Sequence, residues 1–411
     1  TIQAKLESGK NFKIVKIHEK LPKNQFKNIT LGYDPNLFTY SQLEFFFGKK
    51  IKLQALNKNL IDEIIKIKKI VGQPFYSLPN NVTGMSYKRK INLISNYIKR
   101  KKADFLFISS PENIAWLLNI RGTDTPFSPL PNCSLVLKNN KRFYLIAEKY
   151  KAKKLLLEKK ISLSQIIEKD NLDGLINNLK GSKFIIDNKT LSISKENKIR
   201  KKFSIISRED PCYFYKSKKN STEIKNMIQS HIADGTALTK FIFWIKNLKN
   251  KKITEIDAEK KLESLRKKNK KYLYPSFDTI AGTGSNGAIV HYKATKKTNK
   301  IIKKKDIFLC DSGGQYKYGT TDVTRTLCFV KQPNKIRDIF TLVLKGHIAV
   351  VTSDLEKDDT GKKIDFHARK FLKKFKLDYG HGTGHGVGYF LNVHEGPQSI
   401  SKFSNIKLKE G

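Results

Sequence analysis

Apolar positions fall into two regimes along this chain. Between about residues 82 and 212, short unbroken apolar runs at Phe105–Ile108, Ser134–Leu137, Phe143–Ile146 and Phe184–Ile186 alternate with segments of helical period. Unbroken runs of that length, bounded by turn formers, are the pattern of strands covered on both faces. Ser110-Pro111-Glu112 opens one of the helices, with a hydroxyl able to cap and a proline suited to the first turn. From Asn220 onward the pattern changes. Ile224, Ile228, Leu238, Ile242 and Ile245 share a helical spacing and predict one long amphipathic helix ending near Ile245. A second helix is predicted from Thr254, whose hydroxyl can cap it with Asp257 three residues on. Strand-like segments follow around Phe277–Ile280, Ala288–Tyr292 and Ile307–Asp311, with a return strand at Thr321–Phe329. Two more helices are predicted over Lys335–Val351 and Lys363–Lys374.

Turn-forming clusters mark two seams, one from Gly72-Gln73-Pro74 to Asn81 and one at Asp210-Pro211. They predict three parts: 1–72, the remainder of an N-terminal α/β domain; 82–212, a middle α/β domain; and 218–411, a C-terminal domain of mixed helices and strands. The fold class is therefore α/β (α+β). No internal repeat of solenoid period is present.

Composition changes this picture little. The formal net charge is +44, but 71 of the basic residues are Lys and 10 are Arg, spread along the whole chain in short runs. Nucleic-acid binders gather Arg and Lys on one face and interleave stacking aromatics, so the charge reads as solvated surface and no nucleic-acid partner is expected. No stretch approaches the roughly 18–20 apolar residues that cross a bilayer, and no membrane partner is expected. Cys133, Cys212, Cys310 and Cys328 show neither metal-binding nor disulfide-framework spacing. Buried free thiols in a reducing, cytoplasmic compartment are the expectation. The opening residues carry no initiator Met and no apolar signal core, and read as a chain entered part-way through a domain.

The chemistry concentrates late. Six of the eight histidines follow residue 290, among them His381 and His385 in the glycine lattice Gly380–Gly388, with His394 close behind. So many glycines exclude a helix, and with it a two-histidine helical zinc face; a phosphate loop lacks its Lys-Ser/Thr ending. The glycines instead let the backbone approach something closely and leave the imidazoles reachable. His347 and His367 lie in helical patterns and read as hydrogen-bonded core residues. Asp311 ends an apolar run, where a carboxylate is costly unless it is paired, hydrogen-bonded or metal-bound. A turn between Tyr316 and Gly319 would bring Asp311 and Asp322 together on adjacent strands, and two carboxylates that close need a positive charge between them. A loop-capping role for Asp311 and a salt bridge from Asp322 to Arg325 stay open. Asp311-Ser312-Gly313 also matches the aspartic-protease triplet, but its mixed helical surroundings are wrong for that class.

Taken together, Ile289-Val290-His291-Tyr292, the Asp-Ser-Gly and Thr320–Thr326 elements, Gly380–Gly388 and Asn392-Val393-His394-Glu395-Gly396-Pro397 resemble the Xaa-Pro aminopeptidases of the pita-bread metallopeptidases. Ile114–Gly122 resembles a segment of that family's middle domain, and the wording is nearest the three-domain cytosolic form. The resemblance implies a pita-bread catalytic domain preceded by creatinase/prolidase-type N-terminal α/β domains. It implies Asp311, Asp322 and His385 as metal ligands, Asp322 bridging two divalent ions, most fittingly Mn2+ for an oxygen-rich set. His291, His381 and His394 would be unligated catalytic and substrate-binding histidines. The implied reaction removes the N-terminal residue from peptides with proline second, using a water acidified between the two ions. The family's two remaining glutamate ligands would fall beyond Gly411, so the chain reads as a fragment truncated at both ends and itself inactive, from an enzyme that is a homodimer at full length. A dipeptide-cutting prolidase and a non-catalytic protein-binding module are the alternatives. All three ligands expected before Gly411 are present, which speaks against the module.

Overall fold

The computed structural model describes residues 4–5, 8–12, 14, 28–48, 51–65, 72–248 and 252–411. The chain divides into two compact units, Gln3–Tyr213 and Phe214–Gly411. Among the described residues, no helix is long and apolar enough to cross a membrane.

In the first unit, β1 (Thr30–Tyr33) pairs in parallel with β2 (Lys52–Ala55), with helix α1 (Tyr40–Phe47) between them in sequence. After helix α2 (Tyr87–Arg100) come β3 (Phe105–Ile108), α3 (Pro111–Leu118), β4 (Ser134–Lys138), β5 (Phe143–Ile146), β6 (Ile166–Ile167), β7 (Lys183–Ile186) and β8 (Ser204–Ser207). They form one six-stranded sheet in the order β8-β7-β3-β4-β5-β6. All four residues of β3 are buried, as an unbroken apolar run in a sheet covered on both faces requires. Phe105 stacks on Phe184 with ring centroids 4.8 Å apart, and Phe203 meets both edge-on. Ser110 stands at the N-cap of α3 and Pro111 at its first position, but the Ser110 hydroxyl makes no capping bond. The proline and the carbonyl of Ser110, which accepts from the Asn113 and Ile114 amides, start the helix instead.

The second unit opens with the long helix α4 (Ser221–Lys246), followed by α5 (Glu255–Arg266). Thr254 caps α5 in a box with Asp257, as its spacing predicts. Strands β9 (Tyr272–Pro275), β10 (Ile280–Thr283), β11 (Phe308–Ser312), β12 (Gly314–Tyr316), β13 (Gly319–Thr320) and β14 (Val323–Leu327) follow. They build two three-stranded sheets, β10-β11-β14 and β9-β12-β13, both antiparallel. Helices α6 (Asn334–Val351) and α7 (Gly361–Lys373) lead to the pair β15 (Gly384–Gly386) and β16 (Glu395–Ile400). Phe308 and Cys310 point from β11 into a core with Leu238, Phe241 and Ile245 of α4 and Ala258 and Leu262 of α5. By the period of two in a strand, Leu309 and Asp311 therefore lie on the opposite face.

Four expectations fail here. Of Phe277–Ile280 only Ile280 lies in a strand, the segment linking β9 to β10 instead. Ala288–Tyr292 is no strand: Gly284–Ala288 is a 3-10 turn and Tyr292 closes a further turn on the Ile289 carbonyl. His347 is exposed rather than core. The helix stripe is only half used: Leu238 and Ile245 are buried, whereas Ile224 and Ile228 remain 38% and 53% exposed.

Candidate metal centre

Asp311 and Asp322 reach each other through a broken hairpin. β11 pairs with β14 so that Asp311 sits opposite Thr324, and Asp322 immediately precedes β14. The turn between them is the smaller β12–β13 hairpin, with Gln315 opposite Thr320. Gly313 is obligatory at the junction, since a Cβ there would lie 1.9 Å from the Thr321 carbonyl oxygen. Beneath this corner, Arg266 forms a bidentate pair with Asp234 at 2.6 and 3.1 Å, donates to the Ser312 hydroxyl at 3.0 Å, and leaves Asp234 to accept from the Tyr316 hydroxyl at 2.7 Å. This fully buried set fixes the end of β11 that carries Asp311.

His385 arrives on β15. Its neighbour Gly386 is needed because a Cβ would meet the Glu395 carbonyl oxygen at 2.4 Å. What the glycine lattice approaches so closely at this point is thus the chain's own strand β16. Arg369 of α7 organises the entry to the lattice, bonding Asp365 and Asp378 and donating to the carbonyls of Tyr379 and His381. Glu395, next to His394, is buried between the ammonium groups of Lys216 (2.7 Å) and Lys219, which ties β16 down.

The histidine chemistry is legible from two contacts. The Nδ1 of His385 lies 2.9 Å from the Gly386 carbonyl oxygen, an acceptor only, so Nδ1 carries the proton. Its Nε2 then faces the Asp322 carboxylate at 3.1 Å. A lone pair cannot face a carboxylate at that distance without a cation, a proton or a metal, between them. Asp322 accordingly raises the His385 pKa above the ordinary imidazole value. His394 stacks edge-on against His385 at 4.1 Å, and burial with the neighbouring His385 lowers its pKa. Ligand atoms of Asp322, His385 and His394 all lie within 4.8 Å of one another.

Asp311 completes the cluster from its buried side. Burial raises its pKa, Asp322 adds to the shift, and the Thr324 hydroxyl with His291 and His385 counter it. Its Oδ1 is buried with no hydrogen-bond partner. An orphaned carboxylate oxygen costs about 1–3 kcal/mol or more, and a divalent cation is the partner that would relieve it. Two carboxylates with imidazole nitrogen suit a fairly hard divalent ion. Arg325, the other candidate partner for Asp322, instead donates to the Thr324 carbonyl.

His291, Asp311, Asp322, His385 and His394 are thus gathered within electrostatic reach of one another. His381 makes its contacts elsewhere: its ring packs on Tyr379 and its Nδ1 lies 2.6 Å from the Gly382 carbonyl oxygen. Pattern reading gave no role for Thr324 and no sign of Asp234 or the lysines under Glu395, whose partners lie up to 179 residues away. A buried Arg in an amphipathic helix was the one available hint.

A helix–helix–strand unit carrying two carboxylates and a histidine, following an α/β unit in the chain, defines a class. Residues 225–411 match the metallopeptidase family M24, and residues 68–223 match the creatinase/prolidase N-terminal domain. The architecture is therefore a pita-bread domain preceded by a creatinase-type domain. Among curated proteins, a probable Xaa-Pro aminopeptidase P of Blastomyces gilchristii is 38% identical over 414 residues, covering 93% of this chain and 66% of the relative. One from Laccaria bicolor is 35% identical over 452 residues, covering all of this chain and 67% of the relative. Among solved structures, the X-prolyl aminopeptidase of Caenorhabditis elegans, described as a cytosolic enzyme with a di-nuclear active site, superposes with TM-score 0.81 at 30% identity, covering 90% of this chain and 63% of that one. The chain belongs to the Xaa-Pro aminopeptidase P family. It spans about two thirds of the length of these curated relatives.

Proposed function

We propose that this chain carries most of the active site of a metal-dependent aminopeptidase that releases the first residue from peptides with proline in second place. The observation carrying the proposal is the His385 imidazole, its Nδ1 proton committed to Gly386 and its Nε2 turned on Asp322, beside the orphaned Asp311 oxygen. Family membership supports the substrate class, and the di-nuclear site of the nematode relative supports two divalent ions. Mn2+ is the proposed metal on the chemistry of the donors.

In this reading Asp311, Asp322 and His385 would hold the ions, together with two glutamates implied by the resemblance. Bound divalent ions supply an acidified water and an electrophile for the scissile carbonyl. The chain's own residues do the rest. The Gly386 carbonyl fixes the His385 tautomer, leaving Nε2 free to ligate. Thr324 orients Asp311 by donating to it. His394, lowered in pKa and so neutral near pH 7, offers one N–H to the substrate carbonyl oxygen as charge develops there. His291 offers a second donor, and His381 orients substrate from the rim. A homodimer in a reducing cytosol and the domain division 1–72, 82–212 and 218–411 belong to the same proposal. The four cysteines, all free, are consistent with that compartment.

The test uses a version of the protein that includes the two glutamates, with Mn2+ and a set of peptides. Hydrolysis of Xaa-Pro-Xaa tripeptides, releasing only the first residue, is expected. Cleavage confined to Xaa-Pro dipeptides would replace this reading with a dipeptidase.

A further inference from the structure

Glu255, the first residue of α5, is 0% exposed and, among the described residues, has no ion-pair partner. Its carboxylate is instead filled by neutral donors. Oε1 accepts from the Thr283 amide at 2.8 Å and from Asn286 Nδ2 at 3.0 Å. Oε2 accepts from the Tyr292 hydroxyl at 2.8 Å, the Lys300 amide at 3.0 Å and Asn286 Nδ2 at 3.1 Å. The Glu255 amide donates in turn to the Lys300 carbonyl at 3.0 Å. One buried carboxylate thus grips both ends of the segment 283–300 and, through Tyr292, its middle. The N-terminus of α5 favours the negative charge.

His291 is the residue before Tyr292. Its backbone is left-handed, with φ of 56°, a strained conformation for a residue with a Cβ. Such a conformation persists only where the surroundings over-determine it. The Tyr292 side chain does so: its ring packs with Ile280 and Ala294, and its hydroxyl is locked on Glu255. The His291 ring is exposed, yet it interacts electrostatically with Asp311 and His394.

We propose that Glu255 is a positioning residue for the reaction: its clamp on Thr283, Tyr292 and Lys300 holds His291 over the Asp311–Asp322–His385–His394 cluster. The proposal rests on the reading that His291 serves substrate, but the clamp itself does not. Gln at 255 would turn an amide N–H toward the Thr283 or Lys300 amide, so the variant breaks the grip with almost no change of volume.

Two measurements test it, on wild type, Glu255→Gln, Tyr292→Phe, His291→Ala and the double variant Glu255→Gln/His291→Ala. Hydrogen exchange of the Thr283 and Lys300 amides, with diethyl pyrocarbonate reactivity of His291, is followed in the metal-free protein. Both are expected to rise about tenfold in Glu255→Gln, and His291 reactivity also in Tyr292→Phe, whose melting temperature should stay close to wild type. In the peptidase assay, Glu255→Gln should lower kcat/KM about 10- to 100-fold, mainly through kcat, because a misplacement of about 1 Å is enough for that. In the His291→Ala background the same substitution should cost less than about twofold. A Glu255→Gln loss that multiplies the His291→Ala loss, or unchanged exchange and reactivity, overturns the proposal. If the wild-type version that includes the two glutamates cleaves no Xaa-Pro peptide, the aminopeptidase reading falls, and exchange and reactivity alone decide the clamp.

Discussion

The two units both build apolar cores and differ in where they place their buried charges. In Gln3–Tyr213 the interior is a sheet wrapped on both faces by apolar side chains, with Phe105, Phe184 and Ile186 wholly buried. In Phe214–Gly411 an apolar core around Phe241 and Phe308 is joined by charge: Arg266, Asp234, Glu255 and Glu395 are all nearly inaccessible, each with its partners in place. Apolar packing is indifferent to direction, so it makes a scaffold that tolerates exchange of similar volumes. Hydrogen-bonded charges dictate angles, and they occur where β11, β16 and the 283–300 segment must present Asp311, His394 and His291. The first unit buries charges too, Lys90 on the Asn119 side chain and Lys151 on Asp124, but those of the second unit stand beside the chemistry.

Paired substitutions can break this contrast. Phe184→Ala should remove about 3–5 kcal/mol from unfolding of the first unit and leave metal affinity unchanged. Asp234→Ala should cost the second unit about 3–5 kcal/mol, since it strands a buried Arg266, and should weaken metal binding as well. Denaturant unfolding with a metal titration on each variant checks both. An Asp234→Ala protein with intact metal affinity would show that the buried pair stabilises without aiming anything. Thr324→Val removes only the hydroxyl that orients Asp311, and about a 10-fold loss of metal affinity with an unaltered melt is expected.

The smallest effect belongs to the first unit. Burial lowers the Lys160 pKa to about 8, while its ammonium donates to the Ser77 hydroxyl and the Asn119 carbonyl. A depressed folded pKa means that the stabilising contribution is full above the unfolded value near 10.5 and is lost as pH falls through about 8. Wild type should therefore gain stability relative to Lys160→Met as pH rises from 8 to 10, read from urea midpoints.

How much of this was legible beforehand follows the same division. The strands at Phe105–Ile108 and Phe184–Ile186 are visible because apolar burial writes itself into consecutive residues. Helices α4 to α7 are visible through their period and the Thr254–Asp257 cap. Asp311, Asp322 and His385 stand out because a carboxylate ending an apolar strand and a histidine among glycines have no cheap structural explanation. Ala288–Tyr292 looks like a strand by composition, but a carboxylate more than thirty residues away draws it into a turn, and no local pattern encodes that contact. Ile224 and Ile228 lie on the apolar stripe of α4, yet spacing cannot tell which part of a stripe is covered.

The central claim is that Asp311, Asp322 and His385 converge on divalent cations, and the loss of the free Mn2+ paramagnetic resonance signal on titration into the protein tests it most directly. Uptake by wild type is predicted, with Asp311→Asn, Asp322→Asn and His385→Ala each weakening it about 10-fold or more. Uptake that is absent from wild type, or equal in all four proteins, would contradict it.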